Sequence, residues 1–420
     1  TKIQQVDGIG TRRARAGLVD PGDKYETVIG VWSHVWDRLS ALHLENPVIR
    51  SRLRRRGLGF ILLASSAVTP ATARPPDPGP PPVPRGSPRN SVGAIPAAAR
   101  PDELIYRTPG MSEELLASIR SVAPNIRIIE VRGRDAALPH AGQAHGADAH
   151  LLSSAFLDAA PDFRWAQSGS AGVDRYITIS ELMSRDEIVL TNMKGMYGPV
   201  IAEHVFAMML SHTRSLPQYL DAGRRGEWDR GPAGTMTALQ GGTMLVVGLG
   251  GIGSEIAMRA NAFNMRVLAT ARTERPAPSY VDELGTAPDL DRLLPEADVV
   301  VLAVPLTDET RGMINRETIA RMKDGAWLVN IARGAVVETD ALVEALETGK
   351  IGAAFLDVTD PEPLPEGHTL WNRDNVLITP HVAARAELSL ERRLALTLEN
   401  MRRFGAGEPL LNVVDKAAGY

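Results

Sequence analysis

The glycine-rich stretch at residues 248–253 constrains the fold of this chain more than any other feature. It follows an apolar run at residues 244–247 and precedes apolar residues at helical spacing, so the order is strand, turn and helix. In that context Gly248 allows a tight turn, Gly250 lets the backbone approach a pyrophosphate, and Gly253 lets the helix pack closely on the strand. Unpaired N–H groups at the start of the helix would bind the phosphates. The stretch therefore predicts dinucleotide binding, and a purely structural glycine turn is the less favoured alternative.

The composition describes a globular protein large enough for two or three domains, with 420 residues, 44% hydrophobic and 23% charged. The formal net charge of -4 gives no indication of nucleic acid or an anionic membrane as a partner. The absence of cysteine excludes disulfides, thiolate catalysis and cysteine metal ligands, and it suits a reducing compartment. No apolar run reaches the roughly 18 residues of a membrane span. We therefore expect a cytoplasmic protein without a bound metal, and with neither nucleic acid nor a membrane as its main partner.

Residues 1–100 differ from the rest of the chain, and we predict that they form a disordered extension with no catalytic part. Residues 75–96 are dense in proline, glycine and arginine and cannot support a packed core. The basic run at residues 50–56 precedes apolar residues, in the order of a secretory signal, but it lies about fifty residues into the chain. A basic, proline-rich arm that binds another protein is the other alternative.

From residue 101 onward, short apolar runs alternate with helical stretches, which is typical of α/β domains with parallel sheets. Strands are predicted at residues 104–106 (as an edge strand), 126–131, 147–152, 163–167, 187–191, 244–247, 266–270, 297–304, 327–331, 352–357 and 376–379. Helices are predicted after a capping Ser112, at residues 198–210 and at residues 387–404.

This pattern predicts two Rossmann-like or flavodoxin-like domains. Residues 196–386 form the domain that binds the nucleotide. Residues 101–195 and 387–420 form a discontinuous substrate domain, because the helix at residues 387–404 would cross back between the domains. The active site would lie in the cleft, where hinge closure would exclude water.

The sequence does not decide the role of two features that precede the glycine-rich stretch. His204 lies within the apolar helix at residues 198–210, and a buried structural histidine is the favoured interpretation. The small-residue loop at residues 168–174 follows a predicted strand and could hold an anion through its backbone N–H groups. It could equally be a tight turn, and the residues alone do not decide between the two.

The end of the second nucleotide-domain strand, at residues 266–270, bears on which nicotinamide cofactor binds. A carboxylate there would hydrogen-bond the ribose 2′-hydroxyl and repel a 2′-phosphate. The residue at that position is Ala271, followed by Arg272 and Thr273, with Arg275 nearby. Two cations and no acid favour NADP(H), although NAD(H) remains possible and Arg272 could be only a surface charge.

Arg333, Glu362 and His381 each lie in a loop that follows an apolar run, and ligands of doubly wound sheets bind outside the carboxyl ends of the strands. Reduction of a 2-oxo acid needs such residues. A protonated His381 can supply a proton to the substrate, Glu362 would favour the charged imidazolium, and Arg333 can bind the carboxylate and polarise the carbonyl. Each residue alone has a structural interpretation, but their joint placement favours catalysis.

Several motifs now give the chain from about residue 102 to residue 420 a clear resemblance to the D-2-hydroxyacid dehydrogenase family. They are Gly-Leu-Gly-Gly-Ile-Gly at 248–253, Val-Pro-Leu-Thr at 304–307, Val-Asn-Ile-Ala-Arg-Gly at 329–334, Asp357 with Asp-Pro-Glu-Pro-Leu-Pro at 360–365, and Thr-Pro-His at 379–381. The tail at residues 411–420 also resembles the glyoxylate/hydroxypyruvate reductase-like branch. Residues 139–152 look shorter than is usual in the family, which leaves the geometry of the substrate loop open.

The resemblance implies roles for individual residues. Arg333 would bind and polarise the substrate, His381 would act as acid and base with Glu362 as its partner, and the N–H groups of Ala171 and Gly172 would bind the substrate carboxylate. Asp357 would meet the nicotinamide carboxamide. The cofactor contacts implied in all are Gly248, Gly250, Gly251, Ile252, Gly253, Arg272, Thr273, Val304, Pro305, Ile331, Ala332, Asp357 and His381.

The sequence thus predicts an NADPH-preferring reductase of small 2-oxo acids such as glyoxylate or hydroxypyruvate. By resemblance it would be a homodimer that pairs through the nucleotide domain, including the helix near residues 202–210. Glu362 argues against a formate dehydrogenase, since those relatives carry glutamine there. A dinucleotide-sensing, corepressor-like binding protein is one alternative, although no nuclear or DNA-binding signature supports it. A 3-phosphoglycerate-type dehydrogenase is another, although that enzyme often carries a further C-terminal domain.

Overall fold

The computed structural model describes residues 101–231 and 236–419, which form two parallel β-sheets covered by helices. The predicted disordered extension at residues 1–100 lies outside the described residues. Among the described residues, no helix is both long enough and apolar enough to cross a membrane.

The first sheet has five parallel strands in the order β2-β1-β3-β4-β5. They are β1 (Leu104–Thr108), β2 (Ile126–Glu130), β3 (Gly146–Asp148), β4 (Trp165–Gln167) and β5 (Val189–Thr191). The prediction that residues 104–106 form an edge strand was wrong. Tyr106 pairs with Ile128 on one side and with Gly146 on the other, so β1 is an interior strand and β2 is the edge.

Short helices pack beside the first sheet. They are α1 (Glu113–Val122), α2 (Arg134–Ala137), α3 (Ser154–Asp158) and α4 (Ser180–Ser184). Helix α1 begins where predicted, because the Ser112 side chain accepts a hydrogen bond from Leu115 N at 3.2 Å.

The second sheet has seven parallel strands in the order β12-β11-β10-β9-β6-β7-β8. They are β6 (Thr243–Val247), β7 (Arg266–Ala271), β8 (Glu283–Thr286), β9 (Val299–Leu302), β10 (Ala326–Asn330), β11 (Ile351–Leu356) and β12 (Val376–Ile378). The predicted strands are all present within a few residues, and β8 is an additional strand. The strand order reverses between β6 and β9, which is the point where a doubly wound sheet binds its ligand.

The helices associated with the second sheet complete the α/β architecture. They are α5 (Gly198–Thr213), α6 (Leu216–Arg224), α7 (Gly251–Ala262), α8 (Leu290–Leu293), α9 (Arg316–Arg321) and α10 (Thr339–Thr348), and the last helix of the chain is α11 (Glu387–Ala406). Short 3₁₀ helices occupy connections at Leu138–Gln143, Ala149–Leu151, Ala287–Asp289, Leu294–Glu296, Gly334–Val336 and Thr369–Asn372. Helix α11 returns to the first sheet, where the ring of Phe404 lies 5.0 Å from that of Trp165.

Strand β6 shows why its sequence is continuously apolar. Met244 and Val246 belong to a core that includes Ile201 of α5, whereas Leu245 and Val247 belong to the core on the opposite face. All four side chains are almost fully buried. A parallel strand covered on both faces needs apolar residues at every position, and this burial fixes the base of the glycine-rich loop.

Candidate active site

The glycine-rich loop connects β6 to α7 at the switch point of the second sheet. Gly248 has a φ of 101°, and a Cβ on Gly253 would lie 2.1 Å from the Gly248 carbonyl oxygen, so both positions require glycine. A Cβ on Gly250 would meet no atom within 4 Å. Gly251 and Ile252 form the first turn of α7. The loop therefore presents open space to the start of a helix, which fits a pyrophosphate.

The end of β7 carries the residues predicted to select the cofactor. Ala271 is the last residue of the strand. It is followed by Arg272, Thr273 and Arg275, which are all exposed. The Arg275 guanidinium donates a hydrogen bond to the Leu249 carbonyl oxygen in the glycine-rich loop. One of the two predicted cations is therefore held against the loop itself.

Arg333, Glu362 and His381 follow neighbouring strands, because Arg333 comes after β10, Glu362 after β11 and His381 after β12. The structure brings two of them into contact, with His381 Nδ1 at 2.8 Å from Glu362 Oε1. Both side chains are about half exposed. Within the described residues nothing hydrogen-bonds His381 Nε2, so this nitrogen is available to a substrate.

Arg333 contacts the first-sheet side of the site rather than His381. Its Nε and Nη2 donate to Asp174 Oδ1 at 3.1 and 2.9 Å, and its Nη1 donates to the Ala332 carbonyl oxygen at 2.7 Å. A guanidinium has five N–H donors, so one remains on each terminal nitrogen. Arg333 can therefore offer a fork of two N–H groups without breaking its present bonds.

The small-residue loop that follows β4 lies directly against this guanidinium. A Cβ on Gly172 would lie 1.6 Å from Arg333 Nη2, so only glycine permits the approach. The N–H groups of Ala171 and Gly172 have no acceptor among the described residues. Tyr197 donates its hydroxyl to the Gly169 carbonyl oxygen at 2.8 Å, and burial raises the pKa of Tyr197, which keeps it a donor. The loop is thus braced and can receive an anion.

Asp357 lies at the end of β11 with only 4% of its surface exposed. Its Oδ1 accepts hydrogen bonds from Thr379 Oγ1 at 2.6 Å and from Val382 N at 2.9 Å, and its Oδ2 accepts one from Ala383 N at 3.0 Å. The carboxylate therefore holds the turn that carries His381, and Oδ2 keeps a lone pair for another donor.

The remaining predicted cofactor residues lie at the same edge of the sheet. Val304 and Pro305 follow β9, while Ile331 and Ala332 follow β10 and are buried. Strand β9 is next to β6 and β10 is next to β9, so these four residues follow the first two strands on one side of the glycine-rich loop.

Two contacts were not anticipated from the residues. Asp174 ends the small-residue loop, and an acid at that place was the only sequence signal for its ion pair with Arg333. His204, predicted to be structural, is partly buried, and its Nε2 lies 2.9 Å from Thr379 Oγ1. The first contact connects the predicted site residue Arg333 to a distant part of the chain, and the second connects α5 to the Thr-Pro-His motif.

Known proteins resemble this chain in sequence and in fold. The family model described as D-isomer specific 2-hydroxyacid dehydrogenase, NAD binding domain, matches residues 206–383. A glyoxylate reductase from Thermofilum pendens is 36% identical over 273 residues, which make up 63% of this chain and 78% of the reductase.

Solved structures give the same result for the fold. A D-isomer specific 2-hydroxyacid dehydrogenase from Xanthobacter autotrophicus Py2, in complex with NADPH and MES, superposes with a TM-score of 0.65 at 30% identity and covers 76% of this chain and 100% of its own. An NADPH-dependent glyoxylate/hydroxypyruvate reductase from Sinorhizobium meliloti, in complex with NADP and sulfate, has a TM-score of 0.63 at 27% identity, covering 76% and 100%.

Proposed function

Because the chain belongs to the D-isomer specific 2-hydroxyacid dehydrogenase family, we propose that it reduces small 2-oxo acids, such as glyoxylate and hydroxypyruvate, with NADPH. Membership makes it an NAD(P)-dependent oxidoreductase acting on a CH–OH group. The observation that carries the proposal is the contact between Arg333 and the loop in which the N–H groups of Ala171 and Gly172 have no acceptor among the described residues.

This arrangement suits the carboxylate and the carbonyl group of a 2-oxo acid. Two backbone N–H groups bind one end of the carboxylate, as in an anion-binding loop. The two N–H groups left on Arg333 bind the carboxylate and the carbonyl oxygen together. Asp174 keeps the guanidinium in place, so the positive charge is oriented before the substrate arrives.

His381 would complete the reaction by proton transfer. Nicotinamide, when bound, supplies the hydride that reaches the carbonyl carbon. His381 Nε2 gives its proton to the carbonyl oxygen, and Glu362 at Nδ1 stabilises the charged ring before that transfer. In the direction of oxidation, neutral His381 accepts the hydroxyl proton instead.

The NADPH preference rests on the end of β7. Ala271 offers no carboxylate to repel a 2′-phosphate, and Arg272 and Arg275 provide positive charge there. The two structural neighbours described above were solved with NADPH and NADP. We further propose that Asp357 Oδ2 would accept a hydrogen bond from the nicotinamide carboxamide.

We also propose the domain division. Residues 101–195 and 387–420 would form the substrate domain around the first sheet, and residues 196–386 would form the nucleotide domain around the second. The site residues described above come from both parts, as a cleft requires.

A steady-state panel tests the function. Purified protein should oxidise NADPH with glyoxylate or hydroxypyruvate, and kcat/KM should be at least about tenfold higher with NADPH than with NADH, since a phosphate contact to arginine contributes roughly 1.5–3 kcal/mol. Arg272→Gln should reduce this preference. Arg316→Gln is the matched control, because Arg316 pairs with the exposed Glu344 at the surface and should change nothing.

The outcomes separate the alternatives. Lack of turnover with every 2-oxo acid would contradict the enzyme proposal, and partner binding that depends on NADP(H) without turnover would favour the corepressor-like alternative. Exclusive activity with 3-phosphoglycerate in the oxidative direction would favour that type of dehydrogenase. Equal rates with NADH and NADPH would refute only the cofactor preference.

We propose a homodimer formed through the part of the chain around α5 and α6. Leu216, Leu220 and Trp228 follow α5 and are 45%, 60% and 89% exposed, which is unusual for large apolar side chains close together in sequence. Light scattering on the purified protein should give twice the monomer mass, and Leu220→Glu should shift it toward the monomer. A wild-type protein that is monomeric at micromolar concentration would contradict this proposal.

A further inference from the structure

His204, Thr379 and Asp357 form a hydrogen-bonded chain beneath the turn that carries His381. His204 Nε2 lies 2.9 Å from Thr379 Oγ1, and Thr379 Oγ1 lies 2.6 Å from Asp357 Oδ1. His204 is on α5, whereas Thr379 directly follows β12 and Asp357 directly follows β11. The chain therefore connects a helix to the ends of two strands.

The direction of these hydrogen bonds follows from the number of protons available. Thr379 has a single hydroxyl proton, which it donates to the carboxylate of Asp357. The hydroxyl can therefore only accept from the histidine, so His204 carries a proton on Nε2. The same nitrogen lies 3.7 Å from Asp357 Oδ1, so the histidine ring also lies close to the carboxylate.

The carboxylate in turn fixes the backbone on both sides of His381. Val382 N and Ala383 N donate to the Asp357 side chain, and His381 N donates to the Asp357 carbonyl oxygen at 2.8 Å. His381 has a φ of 54°, a left-handed conformation that a non-glycine residue keeps only where its surroundings impose it. The orientation of the Asp357 carboxylate depends in turn on Thr379, because Oδ1 accepts the hydrogen bond from the Thr379 hydroxyl.

We propose that His204 and Thr379 are positioning residues, which hold the Asp357 carboxylate and through it aim His381 at the substrate. The inference rests on the proposed role of His381 and adds to it a hydrogen-bonded relay from α5. His204 touches neither the substrate nor the reacting atoms in this arrangement. Its loss should misplace the proton donor without removing it.

The hydroxyl and the histidine are tested separately. Thr379→Val removes the hydroxyl at nearly constant shape, and His204→Leu removes the donor. Each should lower kcat about 10- to 100-fold, since misplacement of a catalytic group by about 1 Å has effects of this size, while KM for the 2-oxo acid changes little. Thr379→Ser and His204→Gln keep a donor or acceptor at the same place and should recover most of kcat. The double variant His204→Leu/Thr379→Val should be no slower than the slower single variant.

Hydrogen–deuterium exchange provides a readout that does not depend on turnover. The amides of Val382 and Ala383 should exchange at least about tenfold faster in Thr379→Val and His204→Leu than in the wild type, because their acceptor is no longer fixed. His212→Leu is the matched control on the same helix. His212 packs edge-on against Trp327 and Phe355, and burial lowers its pKa, so it should affect stability but neither kcat nor these amides.

Two results would overturn the inference. One is unchanged exchange of the two amides in both single variants. The other is a double variant in which the fold-loss of kcat equals the product of the two single losses, so that the activation free energies add. That result would show that the two residues act independently. An inactive wild type with the expected exchange pattern would instead contradict the proposed function while leaving the relay in place.

Discussion

Replacing His381 with asparagine is expected to lower kcat for 2-oxo acid reduction by about 10²- to 10⁴-fold, the usual contribution of a general acid. Asparagine is a suitable replacement for two reasons. Its short amide can still reach Glu362, which lies 2.8 Å from His381 Nδ1, and it tolerates the left-handed φ of 54° better than other non-glycine residues. The turn should therefore survive while the proton donor is lost, and single-turnover kinetics would measure the effect on chemistry.

Glu362→Gln should have a smaller effect at the same site. It removes the negative charge opposite the imidazolium, and a hydrogen bond to a charged group contributes roughly 1.5–3 kcal/mol, which corresponds to about 10- to 100-fold in rate. The dissociation constant for NADPH, measured by fluorescence titration, should stay within about threefold in Glu362→Gln, because Glu362 is not among the expected cofactor contacts. A His381→Asn enzyme with near wild-type kcat would remove His381 from the mechanism.

Local features of the sequence were sufficient to predict the glycine-rich loop. Its strand, turn and helix lie within about twenty residues, and the reasons for the glycines act at short range. Gly248 has its positive φ, and Gly253 packs on the Gly248 carbonyl oxygen, as the spacing predicts. The apolar runs of β9, β10 and β11 were found for a similar reason, since strands buried on both faces have continuous apolar sequence.

Strand order and weak strands depend on distant pairing and were predicted less well. Strand β8 has the sequence Glu-Leu-Gly-Thr, with all four residues partly exposed, and it is a strand because it pairs with β7. Residues 104–106 belong to an interior strand because the three-residue β3 pairs alongside them, and nothing near them in the sequence indicates that pairing. Neither feature leaves a periodic signal in the chain.

The site shows the same limit. The residues at the strand ends identified Arg333, Glu362 and His381 as candidates, but not their partners. Asp174 is 159 residues from Arg333, and the pair exists only because the small-residue loop and the end of β10 meet in space. His204 and Thr379 are 175 residues apart. Sequence pattern gives the chemical type of each side chain, whereas three-dimensional packing decides its hydrogen-bond partner.

Arg333→Lys is expected to lower kcat/KM by about 10²- to 10⁴-fold, even though the charge is kept. Two hydrogen bonds from a guanidinium to an anion contribute roughly 3–6 kcal/mol together, and lysine cannot present the two parallel N–H groups. It also cannot donate to Asp174 and Ala332 and still reach the substrate. The loss should fall on both kcat and KM, because Arg333 would bind the carboxylate in the ground state and polarise the carbonyl in the transition state.

Two companion variants identify how the arginine acts. Arg333→Ala should regain part of its rate when guanidinium ion is added, since the small cation can occupy the space between Gly172 and Asp174. Asp174→Asn keeps the shape of the partner but removes its charge, and should lower kcat/KM by only about tenfold, because the pair is partly solvated and its two side chains are 28% and 36% exposed. Failure of guanidinium to rescue, together with an Arg333→Lys enzyme of nearly wild-type kcat/KM, would show that the contact between Arg333 and the loop is structural and that the substrate carboxylate binds elsewhere.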